Sequence, residues 1–214
     1  MVLVLFSEID ERSHCRLLDE HVGKFHPAEQ EKIKRYRRWE DAQLSLLGKL
    51  LLMKGAGAMG VENTGHMHLQ YSQYGKPGWK HSPFYFNISH SGNIVVCAVT
   101  KSMEIGIDIE VKHQVNISDF KIQMIPTEWE RIMSAEDKTT AFFKYWTEKE
   151  AVIKAYGSGL SMALQSFEVV NSCTKINGRP FYLNEIFIRP NYICHIATPD
   201  MLPGEKIQCI PVKM

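Results

Sequence analysis

Gly106-Ile-Asp-Ile-Glu110 sets two carboxylates two residues apart inside an apolar alternation. In an extended strand Ile105, Ile107 and Ile109 share one face, and Gly106, Asp108 and Glu110 the other. Like charges placed roughly 7 Å apart by the rise per residue repel unless solvent or a cation intervenes. A hard divalent ion such as Mg2+ suits such all-oxygen donors, and an ordinary solvent-exposed strand face explains the spacing equally well. A second group is Trp146-Thr-Glu-Lys-Glu-Ala-Val-Ile-Lys154. Glu150 and Lys154 stand one helical turn apart with the acid first, the favoured order for a surface pair contributing about 0.3–0.5 kcal/mol. The functional alternative makes Glu150 a third metal ligand or a general base, and Lys154 an acid or a phosphate contact. The third group, Phe86-Asn-Ile-Ser-His-Ser-Gly92, reads as a strand entering a small-residue turn. Ser89, His90 and Ser91 offer hydroxyl and imidazole groups there, and Gly92 permits close approach. Such a turn can hold a phosphate, although turns of this composition occur in any fold. Lys76, in Tyr74-Gly-Lys-Pro77, falls on an expected loop.

Three other patterns carry less. Gly55-Ala-Gly-Ala-Met-Gly60 matches a dinucleotide fingerprint letter by letter, but it ends a helix instead of joining a strand to one, and no acid follows about 20 residues on. Lys32, Lys34, Arg35, Arg37 and Arg38 form a basic run flanked by Glu29, Glu31, Glu40 and Asp41, the pattern of a solvated helix face. His66-Met-His68 has strand spacing for a metal pair but no third ligand nearby.

The elements that must position these groups come in an order that occurs twice. A strand at 2–6, a weak helix near 13–23, a stronger helix from 28 to 54 ending at Gly55, and strands near 66–71, 84–88 and 94–100 make the first round. A strand at 105–111, helices near 127–134 and 137–156, and strands near 167–170, 181–188 and 192–198 make the second. The expected fold is α+β, in two similar halves related by a pseudo-twofold axis, each a small, mainly antiparallel sheet packed with helices. Residues 1–104 form the N-terminal half and 105–214 the C-terminal half. Between Glu62 and Glu104 no acid occurs, while Lys76, Lys80, Lys101, His66, His68, His81 and His90 do, so nothing acidic there repels a bound phosphate.

Composition narrows the class. The 214 residues are 44% hydrophobic and 23% charged, the proportions of a soluble globular chain, with no period of collagen or coiled coil. A net charge of +1 argues against nucleic acid as the main partner, and no apolar run reaches membrane-spanning length. Cys15, Cys97, Cys173, Cys194 and Cys209 are odd in number and form no CxxC pair, which fits a reducing, cytoplasmic setting. The apolar start lacks a basic region and cleavage site, so it reads as a strand and not a signal peptide.

Taken in order, FNISHSG, GIDIE and WTEKEAVIKAYGSGL resemble the signature of the 4′-phosphopantetheinyl transferases, over roughly residues 27–170. The length resembles the larger, surfactin-synthetase-activating type, in which one chain holds two similar halves. The resemblance implies transfer of the phosphopantetheine arm of coenzyme A to a serine of an apo acyl or peptidyl carrier protein, releasing 3′,5′-ADP. It implies Asp108, Glu110 and Glu150 as ligands of Mg2+, with Mn2+ an alternative, and Glu150, Lys154 and His90 as catalytic residues. It further implies Lys32, Lys76, Ser89, His90 and Lys154 as contacts to coenzyme A. A monomer is expected, since one chain supplies both halves. At position 44 the family often has an arginine, whereas this chain has Leu44, with Lys49 and Arg38 the cations that could replace it. Leu44 therefore predicts a weaker preference for coenzyme A over its 3′-dephospho form. The contrasting reading is a module that binds coenzyme A or a carrier protein without catalysis.

Overall fold

The computed structural model describes residues 1–61, 69–79 and 82–214. Strand β1 (Val2–Glu8) is apolar at nearly every position because both of its faces are covered. Leu3 and Leu5 turn toward α1 (His14–His21), α2 (Pro27–Lys34) and α3 (Trp39–Ala58). Val2, Val4 and Phe6 turn the other way, toward a second sheet. The first sheet runs in the order β10 (Ile207–Pro211), β1, β5 (Ile94–Thr100), β4 (Tyr85–Ser91). The second runs β6 (Gly106–Val111), β9 (Tyr192–Thr198), β8 (Arg179–Glu185), β7 (Cys173–Ile176), antiparallel throughout. A small pair, β2 (Gln70–Tyr71) and β3 (Pro77–Gly78), stands apart.

Ile105, Ile107 and Ile109 pack with Val96 and Ala98 between the sheets, so the alternation of the acidic strand buries its isoleucines as expected. The opposite face of the second sheet lies under α5 (Lys138–Tyr156), with α4 (Pro126–Ser134) beside it. The layers are helix, sheet, sheet, helix, an α+β architecture of small sheets packed with helices. No described helix is long and apolar enough to cross a membrane.

Four expectations are corrected. The helix expected over 28–54 is two helices, broken at Arg35–Arg38. Lys32 and Lys34 lie in the last turn of α2 and Glu40 and Asp41 in the first turn of α3, each favourable to its own helix dipole, so the charge order marks an end followed by a start. Gly55 does not stop α3 but lies inside it against Val99, where a Cβ would come 2.9 Å from the valine Cγ1. Residues 167–170 contribute a single bridge, Val170 to Cys173, and the ladder forms at β7 instead. Strand β10 was not anticipated; it pairs parallel with β1 and returns the end of the chain to the first sheet. Of the strand expected over 66–71 only its end is described, as β2, and the His66/His68 pair lies outside the described residues, as do Lys80 and His81.

Candidate active site

Edge strand β4 of the first sheet runs beside edge strand β6 of the second. Asn87, Ser89 and Ser91 alternate along β4 and reach across. The Ile107 amide donates to Asn87 Oδ1 at 2.8 Å and the Val111 amide to Ser91 Oγ at 3.1 Å. Ser89 Oγ donates to Asp108 Oδ1 at 2.9 Å, and Ser91 Oγ to Glu110 Oε2 at 2.5 Å. Ser89 and Ser91 are thus strand residues, not turn residues as expected, and the turn itself follows at Gly92 with φ 53°.

Helix α5 brings the second group. Asp137 caps it, accepting from the Thr140 amide at 2.9 Å, and Gly157 ends it in the left-handed region at φ 87°. The helix lies so close to β6 that a Cβ on Gly106 would meet Ala151 O at 2.0 Å. From this position Lys154 Nζ reaches Asp108 Oδ1 at 2.5 Å and Ser89 Oγ at 2.9 Å. The surface pair that the Glu150/Lys154 spacing allowed does not form as a close ion pair among the described residues. Lys154 turns inward to Asp108.

Asp108 is 4% exposed, and its Oδ2 is buried with no hydrogen-bond partner among the described residues. Burial lifts the Glu150 carboxyl above the usual range, Lys154 opposes this, and the charges of Asp108 and Glu110 add to it. Burial also lifts Glu110, with Ser91 opposing and Asp108 adding. An orphaned carboxylate oxygen beside two acids that are costly to ionise is a donor set suited to a hard divalent cation. As they lie, no three His, Cys, Asp or Glu among the described residues stand close enough to hold a metal ion. The Lys154 ammonium supplies the positive charge at Asp108.

Two cavities adjoin this point and share Gly75, Pro77 and Ile88. One, of about 210 Å³, is lined by Tyr74, Asn87, Glu150, Lys154 and Gly159. The other, of about 270 Å³, is lined by Lys32, Leu44, Lys49, Tyr71 and His90. His90 faces this side of β4; burial and the Lys154 charge hold its imidazole below its ordinary range. Lys76 lines the first cavity, but its ammonium donates to Lys154 O at 2.5 Å and so caps the end of α5. Arg38 pairs instead with Glu40 at 3.2 Å.

Sequence reasoning missed Asn87 and Glu29. The alternation Asn87, Ser89, Ser91 was a usable signal. Glu29 carried none, because its partners, Lys49 at 3.3 Å and the Tyr71 hydroxyl at 3.3 Å, are remote in the chain.

The profile of the 4′-phosphopantetheinyl transferase superfamily matches residues 104–197, and that of the 4′-phosphopantetheinyl transferase N-terminal region matches residues 17–102. The transferase Sfp of Bacillus subtilis strain 168 is 35% identical over 187 residues, covering 81% of this chain and 83% of that protein. The transferase gsp of Aneurinibacillus migulanus is 32% identical over 182 residues, 82% of this chain and 74% of its own. A further 4′-phosphopantetheinyl transferase of Bacillus subtilis is 39% identical over 143 residues, and the match spans 63% of its length. Two profiles in tandem, divided where β5 gives way to β6, and relatives matched over most of their length place the chain in the 4′-phosphopantetheinyl transferase superfamily, as an enzyme of that type.

Proposed function

We propose that the chain moves the phosphopantetheine arm of coenzyme A onto a serine of an apo acyl or peptidyl carrier protein, with release of 3′,5′-ADP. The observation that carries this reading is Asp108, with Oδ1 held by Ser89 and Lys154 and Oδ2 buried and unpartnered. Asp108, Glu110 and Glu150 would hold Mg2+ or Mn2+, which when bound neutralises charge on the pyrophosphate. Phosphoryl transfer asks for alignment and charge neutralisation more than covalent help. Glu150, raised toward neutrality by burial, is suited to accept the proton of the attacking serine hydroxyl. The serine oxygen bonds to phosphorus as the bond to the departing 3′,5′-ADP breaks. Lys154 sits where it can neutralise the oxygen that leaves. Ser89 fixes Lys154 and Asp108 relative to each other, and His90 and Lys32 line the cavity for the nucleotide end. Lys76 acts by securing α5, which carries Glu150 and Lys154.

The N-terminal half, 1–104, supplies the coenzyme A side and the C-terminal half, 105–214, whose last strand β10 returns to the first sheet, the acidic side. Because both line one cleft within one chain, the protein acts as a monomer. Its five free cysteines support a cytoplasmic setting.

The test is coenzyme A, Mg2+ and a panel of apo-carrier proteins, followed by intact-mass measurement. A phosphopantetheine mass gain is expected on at least one carrier. No gain on any carrier would favour a binding module without catalysis. Glu150→Gln should still bind coenzyme A but transfer slowly, with part of the rate restored at higher pH. Near-normal turnover in Glu150→Gln would remove the base role. Near-normal turnover in both Asp108→Ala and Glu110→Ala would remove the metal site.

A further inference from the structure

The cavity of about 270 Å³ beside α2 and α3 is cationic by residue type but balanced in charge as folded. Lys32 and Lys49 line it, and so does Asp41, while Glu29 stands behind both lysines. Glu29 is 4% exposed. Its carboxylate meets Lys49 at 3.3 Å and accepts from the Tyr71 hydroxyl at 3.3 Å. Lys32 in turn donates to that hydroxyl at 3.1 Å and lies 4.5 Å over the Tyr71 ring. Lys49 also donates to Ser45 Oγ at 3.0 Å and to Ser45 O at 3.5 Å. Leu44 adds an apolar wall, and His90 is held toward its neutral form. Among the described residues, two ammonium groups and two carboxylates leave no surplus positive charge there.

Coenzyme A carries its negative charge in two places, the pyrophosphate and the ribose 3′-phosphate. With the pyrophosphate at the acidic centre near Lys154, this second cavity is the one whose residue types suit the ribose phosphate. An anion entering it must compete with a buried carboxylate that already pairs with Lys49 and holds Lys32 through the Tyr71 hydroxyl. We infer that Glu29 acts as a built-in stand-in for that phosphate, so that the chain accepts 3′-dephospho-coenzyme A nearly as well as coenzyme A. The inference rests on the transferase reading above and deepens it by naming the donor class and the residue that sets it. The role is distinct from catalysis, since Glu29 touches neither Asp108 nor Glu150.

Titration calorimetry with coenzyme A and with 3′-dephospho-coenzyme A tests this, alongside transfer from each measured by intact mass. The parent chain should bind the two within about threefold. Glu29→Gln should tighten coenzyme A by about tenfold, the scale of one charge-assisted contact, and leave the dephospho form unchanged. Should Glu29→Gln fail to fold by circular dichroism, the double variant Glu29→Gln with Lys49→Met removes both buried charges. Lys32 is then freed from the Glu29–Tyr71 contact and has Asp41 as the remaining carboxylate of the lining, so a gain smaller than tenfold, confined to coenzyme A, is expected. A hundredfold preference of the parent for coenzyme A, with transfer intact, would overturn the inference while leaving the transferase reading standing. An equal change for both donors in the variants would overturn it too. Binding of neither donor would overturn both readings.

Discussion

Buried His195 and half-buried Glu148 are titratable side chains beside the site, with His195 Nε2 3.8 Å from Glu148 Oε1 and Nδ1 2.8 Å from the Thr147 hydroxyl. Burial lifts the Glu148 carboxyl to about 7; Lys144 opposes the shift and Glu185 adds to it. An unfolded glutamate ionises near 4.5, so across that interval the folded chain keeps a proton the unfolded chain has released. Stability therefore falls as pH rises from 4.5 to 7, and the full cost persists above 7. Burial lowers the His195 imidazole to about 4, with Glu185 opposing. There the unfolded chain takes the proton first, so stability falls as pH drops from 6.5 toward 4. The two slopes oppose each other where they overlap. Glu148→Gln should accordingly be more stable than the parent at pH 8.5, by on the order of 1–3 kcal/mol. Near pH 4.5 the two should match. Urea denaturation at both pH values checks this, and an equal difference at each would show that the carboxyl does not titrate as stated.

Helix α5 is held on one side by contact and on the other by charge. On the contact side, a Cβ at Gly106 would press on Ala151 O at 2.0 Å and Ala155 N at 2.4 Å, both backbone atoms that cannot swing aside. Gly106→Ala should cost about 3 kcal/mol and lower turnover, because the helix must move away from Asp108. Gly57→Ala, with no atom of the described residues within 4 Å, should instead stabilise by about 0.5–1 kcal/mol in the same denaturation experiment. On the charge side, Lys149 is fully buried and pairs with Glu128 at 2.7 Å. It also donates to Leu164 O and Phe167 O, tying the segment after α5 to α4. Lys149→Met should cost about 3–5 kcal/mol by leaving Glu128 unpaired. Adding Glu128→Gln should recover part of this by removing the unpaired buried charge, although its single amide oxygen can accept from only one of the Ile125 and Val169 amides, which Glu128 serves with separate oxygens. These elements differ in how far the sequence disclosed them. The acidic strand and α5 were legible because their patterns are local: alternation in one, a capped apolar stripe ending at Gly157 in the other. The α2–α3 break was written in charge order but hidden by an unbroken apolar stripe. Strand β10 was not legible, because its ladder depends on β1, some 200 residues away in the chain.

Across the whole molecule, the motif residues Ser89, Asp108, Glu110 and Lys154 converge, which their order in the sequence alone could not show. Lys76, expected at a phosphate, lines the cavity with its ammonium on Lys154 O at the end of α5, a contact that only the packing of the loop against the helix decides. The seam between the two sheets is closed by side chains of β4. Asn87→Ala would leave the Ile107 amide buried without its acceptor, at a cost of about 1–3 kcal/mol. In hydrogen-exchange measurements Ile107 should then exchange faster, while the amides of β5, paired through backbone on both sides, keep their protection. Unchanged exchange at Ile107 would show that the contact does not hold the seam.

A backbone ladder joins two strands whatever residues stand in it, since every residue but proline brings the same amide. The junction of β4 and β6 is different in kind, because one carboxamide and two hydroxyls set it. Its geometry is heritable letter by letter. A single codon change at 87, 89 or 91 can reset the width of the slit while both sheets remain as they were. The two sheets are thereby a pair of jaws whose gap natural selection can adjust without rebuilding either jaw.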